Sequence, residues 1–389
     1  MIKKHYIKGF WLIAFVGMIF IYACGVSGRI KISNYFSKSE LENWENIGGS
    51  AGRSNFRRKE LNPPLKLAWE TSLASAPNEV LAVSDRIVYT GTLDGRIYAL
   101  DILKGDIIGN LKFLYAATAG LAVHHQTAII ALASGKESLI SYNVYDNEFR
   151  YIKHLSGVET NPLIFEDYIY LADQHKKFYS LNYSDGTTLW SYETPKPVRS
   201  SPAVSGTSVY FGCDDGNVYS LNRFNGKVHW TFHTRQAIYA APALDETALY
   251  IGSTDSIFYA IHLKEGTLLW KYKIGDASPG KFFSSAAVND DKVIVGATDG
   301  CLYAFNKNDG TLLWKFQTKA AISSAPVIVN NFVYIGSQDC YLYAVDIKTG
   351  RLEWNYKTAG RIKTNMALYG EYLVVASEPK NVYAFKTSQ

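Results

Sequence analysis

The 389-residue sequence repeats itself with a period close to 40, and this period constrains the fold more than any other feature. The unit is clearest in residues 323–358, SSAPVIVNNFVYIGSQDCYLYAVDIKTGRLEWNYKT. A small-residue and Pro step leads into an apolar segment at 327–329, and Asn330-Asn331 turns the chain into the alternating Phe332, Tyr334 and Gly336. Gln338-Asp339 turns it again into 341–345, and Lys348-Thr349-Gly350 reverses it into 352–356. These are four short antiparallel strands with polar, Gly-containing turns. One such sheet cannot bury both faces alone and needs copies of itself as neighbours.

The copies are present. Tyr98, Ile140, Tyr179, Tyr219, Tyr259, Tyr303, Tyr343 and Tyr383 occupy one place in the repeat, separated by 42, 39, 40, 40, 44, 40 and 40 residues. Four strands per 40 residues predict propeller blades around an axis, and eight repeats predict eight blades. The last repeat has three strands before the chain stops at Gln389, while residues 65–71, LKLAWET, match the fourth strand of other repeats and lack their own first three. The expected fold is therefore all-β: an eight-bladed β-propeller of four-stranded antiparallel blades, closed by an N-terminal strand that completes the last blade. Trp190, Trp230, Trp270, Trp314 and Trp354 recur at one fourth-strand position, which packing against a neighbouring blade requires and ligand stacking does not. The first two full repeats lack this Trp. Their adjacent His124 and His125 read as turn residues, since neighbours on a strand point to opposite faces and make a poor metal pair.

Residues 1–23 carry Lys3, Lys4 and Lys8, no acidic residue and an apolar run at 9–23, the pattern of a secretory signal. That run falls short of the roughly 20 residues a spanning helix needs, which counts against an uncleaved anchor. Ile21-Tyr22-Ala23-Cys24 resembles a bacterial lipobox, with Tyr22 bulkier than usual. By that resemblance the chain is cut before Cys24, which carries lipid, and residues 24–43 form a tether ahead of a propeller at 44–389. Gly25 rather than Asp after the Cys implies the outer membrane, facing the periplasm. Removing Lys3, Lys4 and Lys8 from 40 basic residues against 35 acidic leaves a formal +2, with no basic stripe to suggest nucleic acid. Cys213, Cys301 and Cys340 are odd in number and form no CxxC or CxxCH, which argues against a disulfide framework, a zinc site and attached haem. They are expected as buried or half-buried thiols. A bridge from Cys301 to Cys340 would have to cross a whole blade, usually too far for a disulfide.

The pattern SxPxV…VYxGSxDGxLYAxDxxxGxxxW, present from Ser324-Ala325-Pro326 to Trp354 and in seven other variants, resembles the repeat of quinoprotein-type β-propellers. The likeness covers roughly residues 65 to 386. The Trp44-to-Asn55 segment resembles the lead-in common to such propellers. Among them, a lipidated chain of this length is most similar to the BamB-like lipoproteins of outer-membrane β-barrel assembly. The resemblance implies fold more than function, because the same repeat builds enzymes and scaffolds.

Three functions follow from it. A scaffold binding other envelope proteins needs only a propeller, a signal and a tether. A quinone (PQQ) dehydrogenase would, by resemblance, need a Ca²⁺ held by Glu, Asn and Asp, a catalytic Asp and commonly a Cys-Cys ring. No Cys-Cys occurs, and Asp173, Asp214, Asp215, Asp255 and Asp299 lie at one recurring turn, so repetition explains them without catalysis. A ligand or glycan sensor would use exposed aromatics at the channel mouth. The scaffold reading is preferred, with no catalytic, cofactor or metal residues assigned. Its partner surface is expected at residues 274–283, IGDASPGKFF, a connection four residues longer than its equivalents. Asp276, Lys281, Phe282 and Phe283 lie in or at its end, and Arg199 and Arg235 come to the same rim from preceding blades. In BamB-like proteins such loops dock onto a periplasmic domain of the barrel-forming partner, so the resemblance points to this rim. The opposing expectation is that the aromatics cap the blade core and the arginines are solvated.

Overall fold

A computed structural model describes residues 26–30, 43–46, 48–115, 120–135, 137–275 and 280–388. Alternating apolar residues and Gly turns fold into eight antiparallel sheets arranged as a ring of blades. Blade 4 is typical, with strands Ala203–Ser205, Ser208–Gly212, Asn217–Asn222 and Val228–His233 paired in that order. First strands of neighbouring blades lie against one another around the axis. Second and third strands are buried on both faces, so the core is a series of apolar layers between blades. Among the described residues no helix is long and apolar enough to cross a membrane.

The ring closes as expected. Leu65–Ser72 pairs antiparallel with Asn381–Thr387 and supplies the fourth strand of blade 8. The C-terminal strand is thereby paired on both sides rather than left as an open edge.

Blades are joined by a repeated contact. The indoles of Trp190, Trp230, Trp270 and Trp314 donate to the carbonyls of Arg223, Leu263, Lys307 and Ile347 at 2.8–3.1 Å, each on the next blade. The same indoles lie over Gly226, Gly266, Gly310 and Gly350, where a Cβ would come within 2.5–2.7 Å of the ring. These glycines have φ of 69–71°, so both backbone conformation and close approach exclude a side chain. Trp69 makes the joint from blade 8 to blade 1, over Gly105 and onto the Ile102 carbonyl at 2.7 Å. Trp354 packs edge-on to Phe385 of blade 8, with ring centroids 5.7 Å apart.

The two degenerate repeats solve the joint differently. In blade 2 Tyr151 stands at the Trp place, its ring over Gly186 and its hydroxyl on the Tyr183 carbonyl at 3.1 Å. Blade 1 has Gly109 there, paired with Ala99 as Trp190 is with Ser180. The vacancy is filled by Ser27–Ile30, a fifth strand on Ile107–Lys112, in which Ile30 pairs with Gly109 and is buried. The Ile30 amide donates to Asn147 Oδ1 of blade 2 at 2.9 Å, in place of an indole N–H. Residues 27–30 fall in the stretch expected to be a free tether. They form a strand instead because an apolar side chain is needed over Gly109. Cys24, the signal 1–23 and residues 31–42 lie outside the described residues.

The lead-in segment, which belongs to no repeat, crosses one end of the axis. Trp44 pairs with Val83, and the carbonyls of Glu45, Ala51, Gly52, Ser54 and Asn55 accept from Val123, Val204, Leu244, Val288 and Ile328. Asn46 exchanges side-chain bonds with Ile164, and Phe56–Arg57 runs parallel to Val327–Val329. Seven of the eight innermost strands are thus capped on one end. Cys213 is buried and Cys301 and Cys340 are half-buried, all as free thiols. Burial pushes the Cys213 thiol up to about 12.

The joint yields a first prediction. Trp314→Ala should lower unfolding stability by about 3–5 kcal/mol, the range for emptying a large aromatic site, whereas Leu313→Ala next to it, 44% exposed, should change little. Denaturant midpoints of the two variants check this, and equal midpoints would remove Trp314 from the joint.

Candidate functional site

With one end of the axis crossed by residues 44–57, the other end holds the connections from each fourth strand to the next blade. A Thr at the fourth-strand exit shapes four of the eight. Thr234 Oγ1 donates to the carbonyls of Gly216 and Gln236 at 2.8 Å, and Thr194, Thr318 and Thr358 repeat the arrangement. In the long connection after blade 5 this Thr is replaced by Ile274, which is buried and has no hydroxyl to fix the loop. Asp276 of that loop lies outside the described residues.

Two adjacent columns of the repeat then have opposite fates. Val198, Ile238, Phe282, Ile322 and Ile362 are completely buried anchors. Each of the last four presses on a second-strand glycine, and Gly252 would meet Phe282 Cβ at 2.1 Å if it had a side chain. Of the candidate aromatic pair, Phe282 is therefore the buried member and offers no surface to a partner. It holds the loop to the blade, its ring tilted against Phe258 and edge-on to Tyr303. The next column, Glu159, Arg199, Tyr239, Phe283 and Ser323, faces the axial mouth.

Here the structure brings Arg199 and Phe283 together through a residue the sequence reading missed. The Arg199 guanidinium lies 5.6 Å from the Tyr239 ring centroid, and Tyr239 stacks on Phe283 at 5.6 Å and 10°. Phe283 is 39% exposed. Arg199 is held by Glu159 at 3.2 Å and by Asp214 at 2.5 Å, so it is not simply solvated. Burial pushes the Asp214 carboxyl up from its usual range, partly offset by Arg199. Arg235 and Lys281 line an open cleft of about 600 Å³ beside this stack, with Lys196, Asp214, Asp215, Gln236, Tyr239 and Phe283. Neither cation makes an ion pair among the described residues. Tyr239 was legible: it stands 40 residues after Arg199 and 44 before Phe283.

The axial mouth itself is a polar hollow of about 120 Å³ with Arg53 at its base. Arg53 is buried, donates to the Pro202 carbonyl at 2.5 Å, and has its pKa lowered by burial to about 9. A quinone with calcium does not fit. Ligand sites of that kind are roughly 300–1,000 Å³, and calcium takes about six to eight oxygen ligands. The mouth offers one carboxylate, Glu159, already paired with Arg199, beside a second guanidinium. The recurring turn carboxylates are committed elsewhere: Asp173, Asp215, Asp255, Asp299 and Asp339 each accept from a Tyr hydroxyl of the same blade, at 2.5–2.9 Å.

Comparison with known proteins places this geometry. The family model described as outer membrane protein assembly factor BamB matches residues 66–231, 150–286 and 196–389. The crystal structure of BamB from Moraxella catarrhalis superimposes with a TM-score of 0.70 at 19% identity, covering 83% of this chain and 100% of that one. A computationally designed protein gives 0.69 at 20% identity, covering 81% and 98%. A europium-containing methanol dehydrogenase gives 0.74 at 12% identity, covering 90% and 99%. Identities this low speak for the fold alone. No curated protein matches the sequence significantly.

A pH prediction follows from Asp215. Desolvation would raise its pKa, but bonds from Tyr219 and from the Asn217 backbone and side chain outweigh it and hold the carboxyl below its usual range. With the folded value depressed, this carboxylate stabilises the fold above the unfolded pKa of about 3.9 and ceases to as pH falls through the folded one. Asp215→Asn should flatten the loss of thermal stability on acidification below roughly pH 4. Parallel melting curves for parent and variant would disprove this.

Proposed function

The chain belongs to the family of the outer membrane protein assembly factor BamB, and from that premise we propose that it is a non-enzymatic envelope scaffold. It binds a protein of the barrel-assembly machinery through the rim of Arg199, Arg235, Tyr239, Lys281 and Phe283. It is held by a lipid on Cys24 to the outer membrane, facing the periplasm. The family match over most of the chain carries this reading. The rim supports it: an exposed aromatic backed by a second ring, with Arg235 and Lys281 beside it, has the composition of an interaction hot spot. The excess of cations in the cleft suits an acidic segment of the partner.

The test is capture from envelope extracts. Arg235→Glu combined with Phe283→Ala should reduce recovery of the barrel-forming partner about tenfold or more, equivalent to roughly 1.4 kcal/mol or above. The melting temperature should stay nearly constant, since both side chains are exposed. Unchanged capture would move the binding site elsewhere. Lipidation has its own test: Cys24→Ser should release the protein from membranes, and a variant that still pelleted with membranes after a high-salt wash would refute the anchor. The dehydrogenase reading, raised by the shared fold, predicts saturable binding of PQQ with Ca²⁺ and dye-linked turnover; the scaffold reading predicts neither, and either result would overturn it.

A further inference from the structure

The strand Ser27–Ile30 fixes where the chain leaves the propeller toward Cys24. It runs antiparallel to Ile107–Lys112, with Ser27 opposite Lys112 and Ile30 opposite Gly109. Its beginning therefore lies at the end of blade 1 that also carries the turn 93–95 and the residues following Lys112. Val26 is half-buried and packs against the core shared by blades 1 and 2. Cys24 is two residues earlier, within about 7 Å of chain at full extension. A lipid on Cys24 would thus be separated from this end of blade 1 by only two residues of chain.

That end is apolar on its surface. Leu114 is 74% exposed, Leu93 54% and Tyr115 42%. Leu93 heads the turn, and Gly95 of the same turn lies against the carbonyls of Phe113 and Tyr115, so the three residues share one tip. The adjoining charge is mainly positive: Arg96 and Lys112 share the single carboxylate of Asp94, and Arg29 is exposed on the added strand. Exposed Leu with an aromatic, flanked by excess cations, is the chemistry of a surface that meets anionic headgroups.

We propose that this tip of blade 1, with Leu93, Leu114 and Tyr115, rests in the lipid surface next to the anchored Cys24 and sets the orientation of the propeller. The inference rests on the lipid anchor proposed above. It deepens that reading: blade 5 stands opposite blade 1 in a ring of eight, so the cleft at Arg235 and Phe283 is held at the far rim of the same face, turned toward the membrane in which a barrel partner sits. A lipid surface is favoured over a protein partner here because the chain itself brings the acyl group to this tip.

The experiment uses the full-length acylated protein on vesicles of phosphatidylethanolamine and phosphatidylglycerol. Cys301 and Cys340 are replaced by Ser, and an environment-sensitive label is placed at Leu93→Cys, Leu114→Cys or, as a control, Leu103→Cys. Leu103 is 44% exposed and lies at the opposite end of the same blade. Labels at 93 and 114 should shift to the blue and be quenched about twofold or more by lipid-borne nitroxide, as for groups some 5–10 Å into the headgroup boundary, with the control unaffected. If the protein binds the vesicles but labels at 93 and 114 behave like the control, the orientation is overturned while the anchor stands. If a Cys24→Ser version binds as the parent does with those labels still quenched, the acyl anchor is overturned and the apolar tip alone holds the membrane.

Discussion

The indole laid over the glycine turn of the next blade is the contact on which the ring depends. A four-stranded blade is apolar on both faces, so its stability comes from its neighbours, and each neighbour must be held at a fixed angle for eight to close. An indole does two things at once at the outer edge of the joint. It fills the wedge between diverging sheets, and its N–H, which would be costly to bury unpaired, locks onto a backbone carbonyl such as that of Ile347. The turn glycine is the other half of the device: with φ near 70° and a ring 2.5–2.7 Å from its missing Cβ, no other residue lets the blades approach so closely. Where the indole is absent the space is still filled, by Tyr151 in blade 2 and by Ile30 from outside the repeat in blade 1.

The innermost strands pose the opposite problem. They are two to four residues long in most blades, crowd around the axis, and end with backbone groups facing the channel. Residues 44–57 answer this by passing from blade to blade and pairing with seven of them. This closes one end of the channel with backbone rather than with a ligand site, and it brings Arg53 up as the base of the remaining hollow. The opposite face carries the connections between blades, and these vary in length and composition.

The repeat made the fold legible to the level of blade number, strand order and closure by the Trp69 strand, because each depends on periodic apolar positions. What escaped was nonperiodic. Ser27–Ile30 reads as tether, since four residues with one isoleucine carry no pattern, and the need for Ile30 appears only once Gly109 is seen in register with Ala99. At the candidate site, loop length and composition point to Arg199 and Phe283. Phe282 and Phe283 are adjacent in sequence but fall in different columns of the repeat. Aligned with Val198, Ile238, Ile322 and Ile362, Phe282 is an anchor by analogy, and the second-strand glycines that admit those side chains give the same answer. Tyr239 was visible in the column of Arg199 by the same alignment.

The separation of those two columns explains why one fold serves unrelated chemistries. The anchor column and the indole joint determine stability, and both are satisfied inside the blades. The mouth column projects beyond them, so Glu159, Arg199, Tyr239, Phe283 and Ser323 differ in charge, size and aromaticity without disturbing a single blade joint. A BamB, a designed protein and a methanol dehydrogenase align about equally well with this chain, at identities that speak for the fold alone. Function has to be read from the column that breaks the repeat. Here that column assembles an ion-paired arginine, two stacked rings and a single committed carboxylate, an arrangement poor in the oxygen ligands that a calcium ion would need.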